Sequence, residues 1–359
     1  MEWDSWDQAA FADRIARSLA AFIDERDAAL ADLGADAERL VAAARHAVGG
    51  GKRLRASFCW WGFAAIIEPS DPDALVRAAA SLELLHASAL VHDDLMDASD
   101  TRRGAPSIHR AFEAAHRQAS LPGRAEPYGA AAAILLGDLL LSWSDQLLRH
   151  TGFDLSATAR AMEVLDVCRN EVIAGQFLDV SVQARGRADV ETAMTVLRYK
   201  SAKYSIERPL HLGAALAGGS TSAREALTGF GLPLGEAFQL RDDLLGVFGD
   251  PEVTGKPAGD DLVEGKRTVL VALALDGAPS GDARMLDEAL GRDLSDAEVA
   301  RMRRIITDSG AAGQVEEAIE ALTATALESL ESSVASGVVR ADAAGVLAGL
   351  ASAATKRSL

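Results

Sequence analysis

Apolar residues recur every three or four positions along most of the chain, the spacing of one buried helix face. This pattern predicts helices over residues 7–31, 35–47, 54–68, 72–98, 127–150, 154–185, 188–205, 233–248 and 312–332. Breakers separate them: "VGGGK" at 48–52, "EPSDPD" at 68–73, "ASLPGRAEP" at 119–127, "AGGST" at 217–221 and "DGAPSGD" at 276–282. Pro233 is expected in the first turn of its helix, where a missing N–H is harmless. The longest predicted loop, "GDPEVTGKPAGDDLVEGK" at 249–266, has the length of a functional or a disordered segment. No repeat of fixed period and no shift in composition divides the chain. The expectation is one all-α domain over 1–359.

Composition agrees with helix over sheet. Of the 359 residues 49% are hydrophobic, 25% charged and only 5% aromatic, and β-branched runs are rare. No uninterrupted apolar stretch is read as long enough to span a bilayer, and the N-terminus "MEWDSWDQAA" is acidic rather than basic-then-apolar. The expectation is a cytoplasmic protein without an integral membrane segment. Cys59 and Cys168 are too few for a disulfide framework and lack zinc-site spacing, so both are read as small core residues. A formal net charge of −17 argues against nucleic-acid binding, which requires a basic face. It leaves anionic substrates open, because local charge and metal override net charge.

Local charge is where the chemistry lies. In "HDDLMDASDTRRG", residues 92–104, Asp93 and Asp97 share a helix face at i, i+4, with Asp94 beside them. Carboxylates at a helix C-terminus oppose the dipole, so an acidic end closing an apolar helix needs a counter-charge. Mg²⁺ fits, since it takes oxygen ligands from one or two carboxylates plus substrate phosphates. A second cluster, "FQLRDDLLGVFGD" at 238–250, places Gln239, Asp242, Asp243 and Gly246 on neighbouring faces of one helix. The pair suggests a shared cavity with metal between two aspartate-rich helices. Cations accompany both. Lys52 and Arg55 in "GGGKRLR" open a helix after a glycine turn that is not a P-loop. Arg102 and Arg103 follow the first cluster, Lys200 lies in "RYKSAKYS", and Lys256 and Lys266 lie in the loop after the second.

The stretches "GGGKRLR", "LELLHASALVHDDLMDASDTRRGAPSIH", "LLGDLLL", "GQFLDV", "YKSAKYS" and "FQLRDDLLGVFGDPEVTGKPAGDDLVEGKRT" together resemble the trans-isoprenyl diphosphate synthases, or polyprenyl synthetases, over about residues 48–270. The resemblance implies a single-domain isoprenoid synthase helical bundle around a deep central cavity, acting as a homodimer. It implies Mg²⁺, three ions with substrate bound, and head-to-tail joining of isopentenyl diphosphate to an allylic diphosphate. By position, Asp93, Asp94, Asp97 and Asp242 would ligate metal, with Asp243 and Asp250 less directly placed. Lys52, Arg55, His86 and Arg103 would hold isopentenyl diphosphate. Arg102, Lys200, Ser201, Gln239, Lys256 and Lys266 would steady the allylic partner. Two departures stand out: Gly246 occupies the fifth position of a motif that often reads DDxxD, and Ser201 replaces threonine.

The same resemblance bears on product length. Leu85 and Ala89 lie two turns and one turn before Asp93 on its face, with Ser88 adjacent. Small residues there imply no early floor to the tail cavity, hence geranylgeranyl diphosphate, with farnesyl or longer-chain products as the alternative. Trp60, Trp61 and Trp143 are candidates for a lower floor or plain core. A class I terpene cyclase and a non-catalytic regulatory subunit are less consistent with the paired acidic and basic motifs.

Overall fold

The computed structural model describes residues 6–187, 189–249 and 259–356; Asp250 and Lys256 lie outside the described residues. Packing divides into two compact units, Met1–Leu165 with Pro209–Gly219, and Asp166–Arg208 with Ser220–Leu359. Among the described residues the strands are confined to one short hairpin, so the chain is all-α, as its periodicity predicts.

The first unit contains α1 (Gln8–Leu30), α2 (Ala35–Ala47), α3 (Leu54–Ala64), α4 (Pro72–Met96), the strands β1 (Thr101–Arg102) and β2 (Ala105–Pro106), α5 (Ile108–Gln118), α6 (Ala125–Arg149) and the start of α7 (Leu155–Arg185). Its centre is α4. Asp71 caps it by accepting from the Asp73 and Ala74 N–H groups, and Pro72 pre-sets its first turn. Beyond the cap it is apolar on nearly every face, the signature of a helix surrounded by protein. Both α4 and α6 are long and apolar enough to cross a bilayer, which corrects the reading that no stretch is; 78% of the apolar window of α4 is buried inside the protein. Trp60 packs on Phe11 at 5.5 Å and Trp143 on Phe22 at 6.1 Å between ring centroids, so these indoles are core. Cys59 and Cys168 are buried thiols.

The second unit contains the rest of α7, α8 (Val190–Leu197), a π-helical segment (Arg198–Glu207), α9 (Arg208–Leu216, whose residues from Pro209 belong to the first unit), α10 (Thr221–Phe248), α11 (Asp260–Val263), α12 (Val269–Gly277), α13 (Ser280–Ala289), α14 (Asp296–Asp308), α15 (Ala311–Ala335) and α16 (Ala341–Thr355). Pro233 is a correction: it sits inside α10, which starts twelve residues earlier, capped by the Ser220 hydroxyl. An interior proline costs about 3 kcal/mol. Packing outweighs that cost, because Gly235 brings α10 against the Ala202 backbone of the π segment, where a Cβ would stand 2.5 Å from its carbonyl oxygen. The predicted 249–266 loop is also interrupted, by α11.

Candidate active site

In the first unit the aspartate cluster closes α4. Asp93 and Asp97 are partly exposed and one turn apart, and the Asp97 N–H bonds the Asp93 carbonyl at 2.8 Å. Asp94 points the other way, is 3% exposed, and accepts from the Arg102 Nε at 2.8 Å. The local sequence explains that contact. Arg103 and Gly104, with φ of 53° and 75°, form the two-residue loop of the hairpin in which Thr101 faces Pro106 and Arg102 faces Ala105. Two positive φ values match a type I′ turn, whose twist folds the strands back tightly. Arg102 is thereby returned to Asp94, and Arg103 reaches the Gly49 carbonyl. The glycine turn leaves room for it: a Cβ on Gly51 would crowd the Arg103 guanidinium at 3.3 Å.

Of the predicted cations, Arg55, Arg102 and Arg103 act on His86, which lies two turns before Asp93. Burial, then Arg55, Arg103, Arg102 and Arg53, hold its pKa well below the ordinary histidine value, so the ring is neutral. Burial and neighbouring arginines likewise lower the Arg103 pKa. Of these four guanidinium groups, Arg53 is paired with Glu83 and Arg102 with Asp94. Lys52 is exposed.

Sequence reading passed over the pair that shapes this turn. Arg53 adopts a left-handed backbone, φ 54°, and is buried with Glu83 of α4, their ion pair measuring 3.1 Å. Arg53 Nη2 also donates to the Val48 carbonyl at 2.7 Å, and Glu83 accepts from the Ala56 N–H in the first turn of α3 at 3.4 Å. An acid inside an otherwise apolar helix was the available signal. Leu85 and Ser88 are buried, and Ala89 is partly exposed.

In the second unit, Asp242 is exposed on α10 and Asp243 is buried, accepting from Gln239 Nε2 at 2.8 Å. Burial, with Asp261 and Asp242 close by, pushes the Asp243 carboxyl up to about 8. Asp261 explains the departure at Gly246, for its carboxylate occupies the space a Cβ there would need. Lys266 Nζ stands 3.4 Å from Asp261 Oδ1. Asp261 was a second missed residue, legible only as the acid of "GDDLVEGK". Gly246→Asp, which restores the common motif, is expected to displace Asp261 and lower stability by about 3 kcal/mol in urea unfolding. Elsewhere in this unit Lys200 Nζ donates to Asp179 at 2.6 Å. Gly175 permits the contact, since a Cβ there would strike the Lys200 backbone. Lys200 and the partly exposed Ser201 lie in the π segment, a distortion frequent at functional sites.

The donors suit Mg²⁺. They are carboxylate oxygens only, and the protonated Asp243 beside two acids is an environment that a divalent cation relieves. Among the described residues no three metal-binding side chains are preassembled into a cage. Mg²⁺ requires none, because it keeps waters and takes phosphate oxygens from substrate.

An acidic cluster in each unit, with arginines beside the first, suits an all-helical enzyme that handles organic diphosphates. Residues 37–307 match the polyprenyl synthetase model, and the chain belongs to that family. It is a prenyltransferase that builds prenyl diphosphates from isopentenyl and allylic diphosphates. It is 33% identical to a geranylfarnesyl diphosphate synthase of Aeropyrum pernix, over 76% of this chain and 81% of the relative. It is 32% identical to a (2E,6E)-farnesyl diphosphate synthase of Mycobacterium tuberculosis, over 72% and 68%. Among solved structures, geranylgeranyl pyrophosphate synthase of Corynebacterium glutamicum, complexed with isoprenyl diphosphate and magnesium, superposes with a TM-score of 0.94. That protein is 41% identical, and the match covers 98% of this chain and 100% of the other.

Proposed function

We propose that the protein condenses isopentenyl diphosphate head to tail with an allylic diphosphate in a magnesium-dependent reaction, yielding geranylgeranyl diphosphate. The observation that carries this reading is the end of α4, where Asp93 and Asp97 are partly exposed and the adjoining hairpin holds Arg102 on Asp94 and carries Arg103. A carboxylate and a phosphate charge 4 Å apart repel by about 4 kcal/mol at an effective dielectric of 20. Aspartates therefore hold a diphosphate only through metal, whereas arginines hold one directly.

Arg55, His86, Arg103 and the exposed Lys52 bind isopentenyl diphosphate. Asp93 and Asp97, and on the second unit Asp242 with Asp243 and Asp261, would hold Mg²⁺; Asp94 orients Arg102 toward the allylic partner. Charge neutralisation of the departing diphosphate is the chemistry the metal supplies when bound. Lys200, Ser201, Gln239 and Lys266 donate to the allylic diphosphate, and Lys200 must leave Asp179 to do so. Apolar residues of α4 keep water from the allylic centre while the double bond of isopentenyl diphosphate attacks it. The proton lost in restoring the alkene passes to the released diphosphate.

Purified protein supplied with labelled isopentenyl diphosphate, each allylic starter and Mg²⁺ is expected to yield geranylgeraniol after dephosphorylation, identified by mass. A product set without it refutes the chain-length part of the reading. Ala89→Phe, one turn before Asp93, is expected to shift the product toward farnesol. An unchanged chromatogram would place the wall of the tail site elsewhere. Two buried cysteine thiols support a reducing, cytoplasmic setting. Exposed Ile134 and Leu135 on α6, and Ile173 and Phe177 on α7, support a homodimer, which light scattering checks as twice the chain mass.

A further inference from the structure

The first unit holds a second cationic site that the reaction does not use. α1, the N-terminal part of α4 and the C-terminal end of α6 enclose a cavity of about 590 Å³ whose walls include Arg14, Arg17, Arg26 and Arg77. Arg77 precedes Asp93 by sixteen residues on one helix, which is about 24 Å at 1.5 Å per residue. The cavity is therefore at the opposite end of α4 from the aspartate cluster.

Four guanidinium groups here face two carboxylates, Glu25 and Asp73, in a chain whose net charge is −17. Neither carboxylate neutralises the cluster well. Asp73 meets Arg14 at 2.9 Å but its side chain is 81% exposed, and Glu25 meets Arg26 at 3.1 Å with its side chain 69% exposed. Ion pairs so exposed are weak and readily exchanged. Arg77 Nε donates to the Thr151 carbonyl at 2.8 Å. The Arg26 Nε is buried and, among the described residues, has no hydrogen-bond partner. An orphaned guanidinium N–H is costly unless an acceptor reaches it. The remaining wall is mixed: Ser18, Gln146 and His150 add polar atoms, and Phe22, Val76 and Leu147 form an apolar part. The Arg26 guanidinium lies 5.0 Å over the Phe22 ring, at the boundary between the two kinds of wall.

From this juxtaposition we infer that the α1–α4–α6 cavity is a second binding site for an organic diphosphate, its head on the arginines and its hydrocarbon against Phe22, Val76 and Leu147. Arginine is suited to such a head, since its planar fork pairs with phosphate oxygens two at a time. The cavity volume lies within the range of small-molecule sites. The amphiphilic anions this enzyme itself handles are prenyl diphosphates, so its product class matches both walls.

The site has no carboxylate–metal element, so it is separable from catalysis by chelation. Full-length protein in EDTA is titrated calorimetrically with geranylgeranyl diphosphate, with inorganic diphosphate and with geranylgeraniol. The wild type is expected to bind one more molecule of geranylgeranyl diphosphate than the Arg17→Glu/Arg26→Glu protein. Inorganic diphosphate is expected to bind there more weakly, and geranylgeraniol not at all. The double reversal is expected to keep its steady-state turnover at low product, whereas failure of the catalytic reading would appear in Asp93→Ala instead. Should the double reversal lower the melting temperature, Arg17→Ala at its exposed position serves, with affinity at this site falling about tenfold. Equal stoichiometry and affinity in wild type and variants would overturn the site. So would loss, in the variants, of binding to phosphatidylglycerol vesicles with diphosphate binding unchanged, which would assign the arginines to a membrane surface.

Discussion

Replacing Asp93 by alanine is expected to lower turnover about 10³-fold, the scale on which losing one preorganised electrostatic element acts. Asp93 is partly exposed at the end of α4, so its removal leaves the core intact and circular dichroism should show an unchanged fold. The diagnostic readout is metal dependence. EDTA should abolish wild-type activity and added Mg²⁺ should restore it, whereas Asp93→Ala should need more Mg²⁺ for its residual rate. Undiminished turnover, or an unaltered magnesium requirement, would remove Asp93 from the metal site. Asp94→Ala should behave differently, because Asp94 is buried on Arg102. Its loss frees the hairpin and should appear first as a lower melting temperature.

Glu83→Gln should be nearly as damaging through a different route. The glutamine keeps the shape of the side chain and an acceptor for the Ala56 N–H, but leaves the buried Arg53 charge unpaired. Breaking one side of a buried ion pair costs about 3–5 kcal/mol. Arg53 also occupies a left-handed backbone conformation, held at about 1 kcal/mol or more above its relaxed state. The pair positions the turn that carries Lys52 and Arg55 on its two sides. Urea unfolding should register the stability loss, and the KM for isopentenyl diphosphate should rise about tenfold with a smaller change in kcat, about 1.4 kcal/mol in the bound state. The double replacement Arg53→Met/Glu83→Met separates the roles. It should recover stability, as apolar replacement of buried pairs often does, while KM stays high. Wild-type KM in a destabilised Glu83→Gln protein would make the pair structural only.

Ala35–Ala47, with marked polar–apolar contrast, was legible in the sequence to the residue, and Leu155–Arg185 nearly so from the breakers that flank it. Two helices without contrast or clear breakers were not. α12 and α16 are apolar or alanine-rich throughout, so no period stands out. α5 escaped for the opposite reason: its buried positions include His109, Glu113 and His116, which a hydrophobic pattern does not count. Pro233 was misplaced because local propensity marks a helix start, whereas close packing of Gly235 on Ala202 carries α10 straight through it.

What the sequence determined by itself was the all-α class, the two aspartate clusters and the cations of "GGGKRLR" and "DTRRG". Each depends on residues within one or two helical turns of one another, where backbone geometry alone sets the neighbours. Tertiary structure decided the rest. It turned Asp94 inward onto Arg102, joined Arg53 to Glu83 across 30 positions, and set Asp261 where Gly246 has no side chain. It also brought Arg77 of α4 to Arg14 and Arg26 of α1 around one cavity. Burial and charge neighbourhood are properties of the folded chain, so no local spacing encodes which carboxylate meets solvent and which meets an arginine.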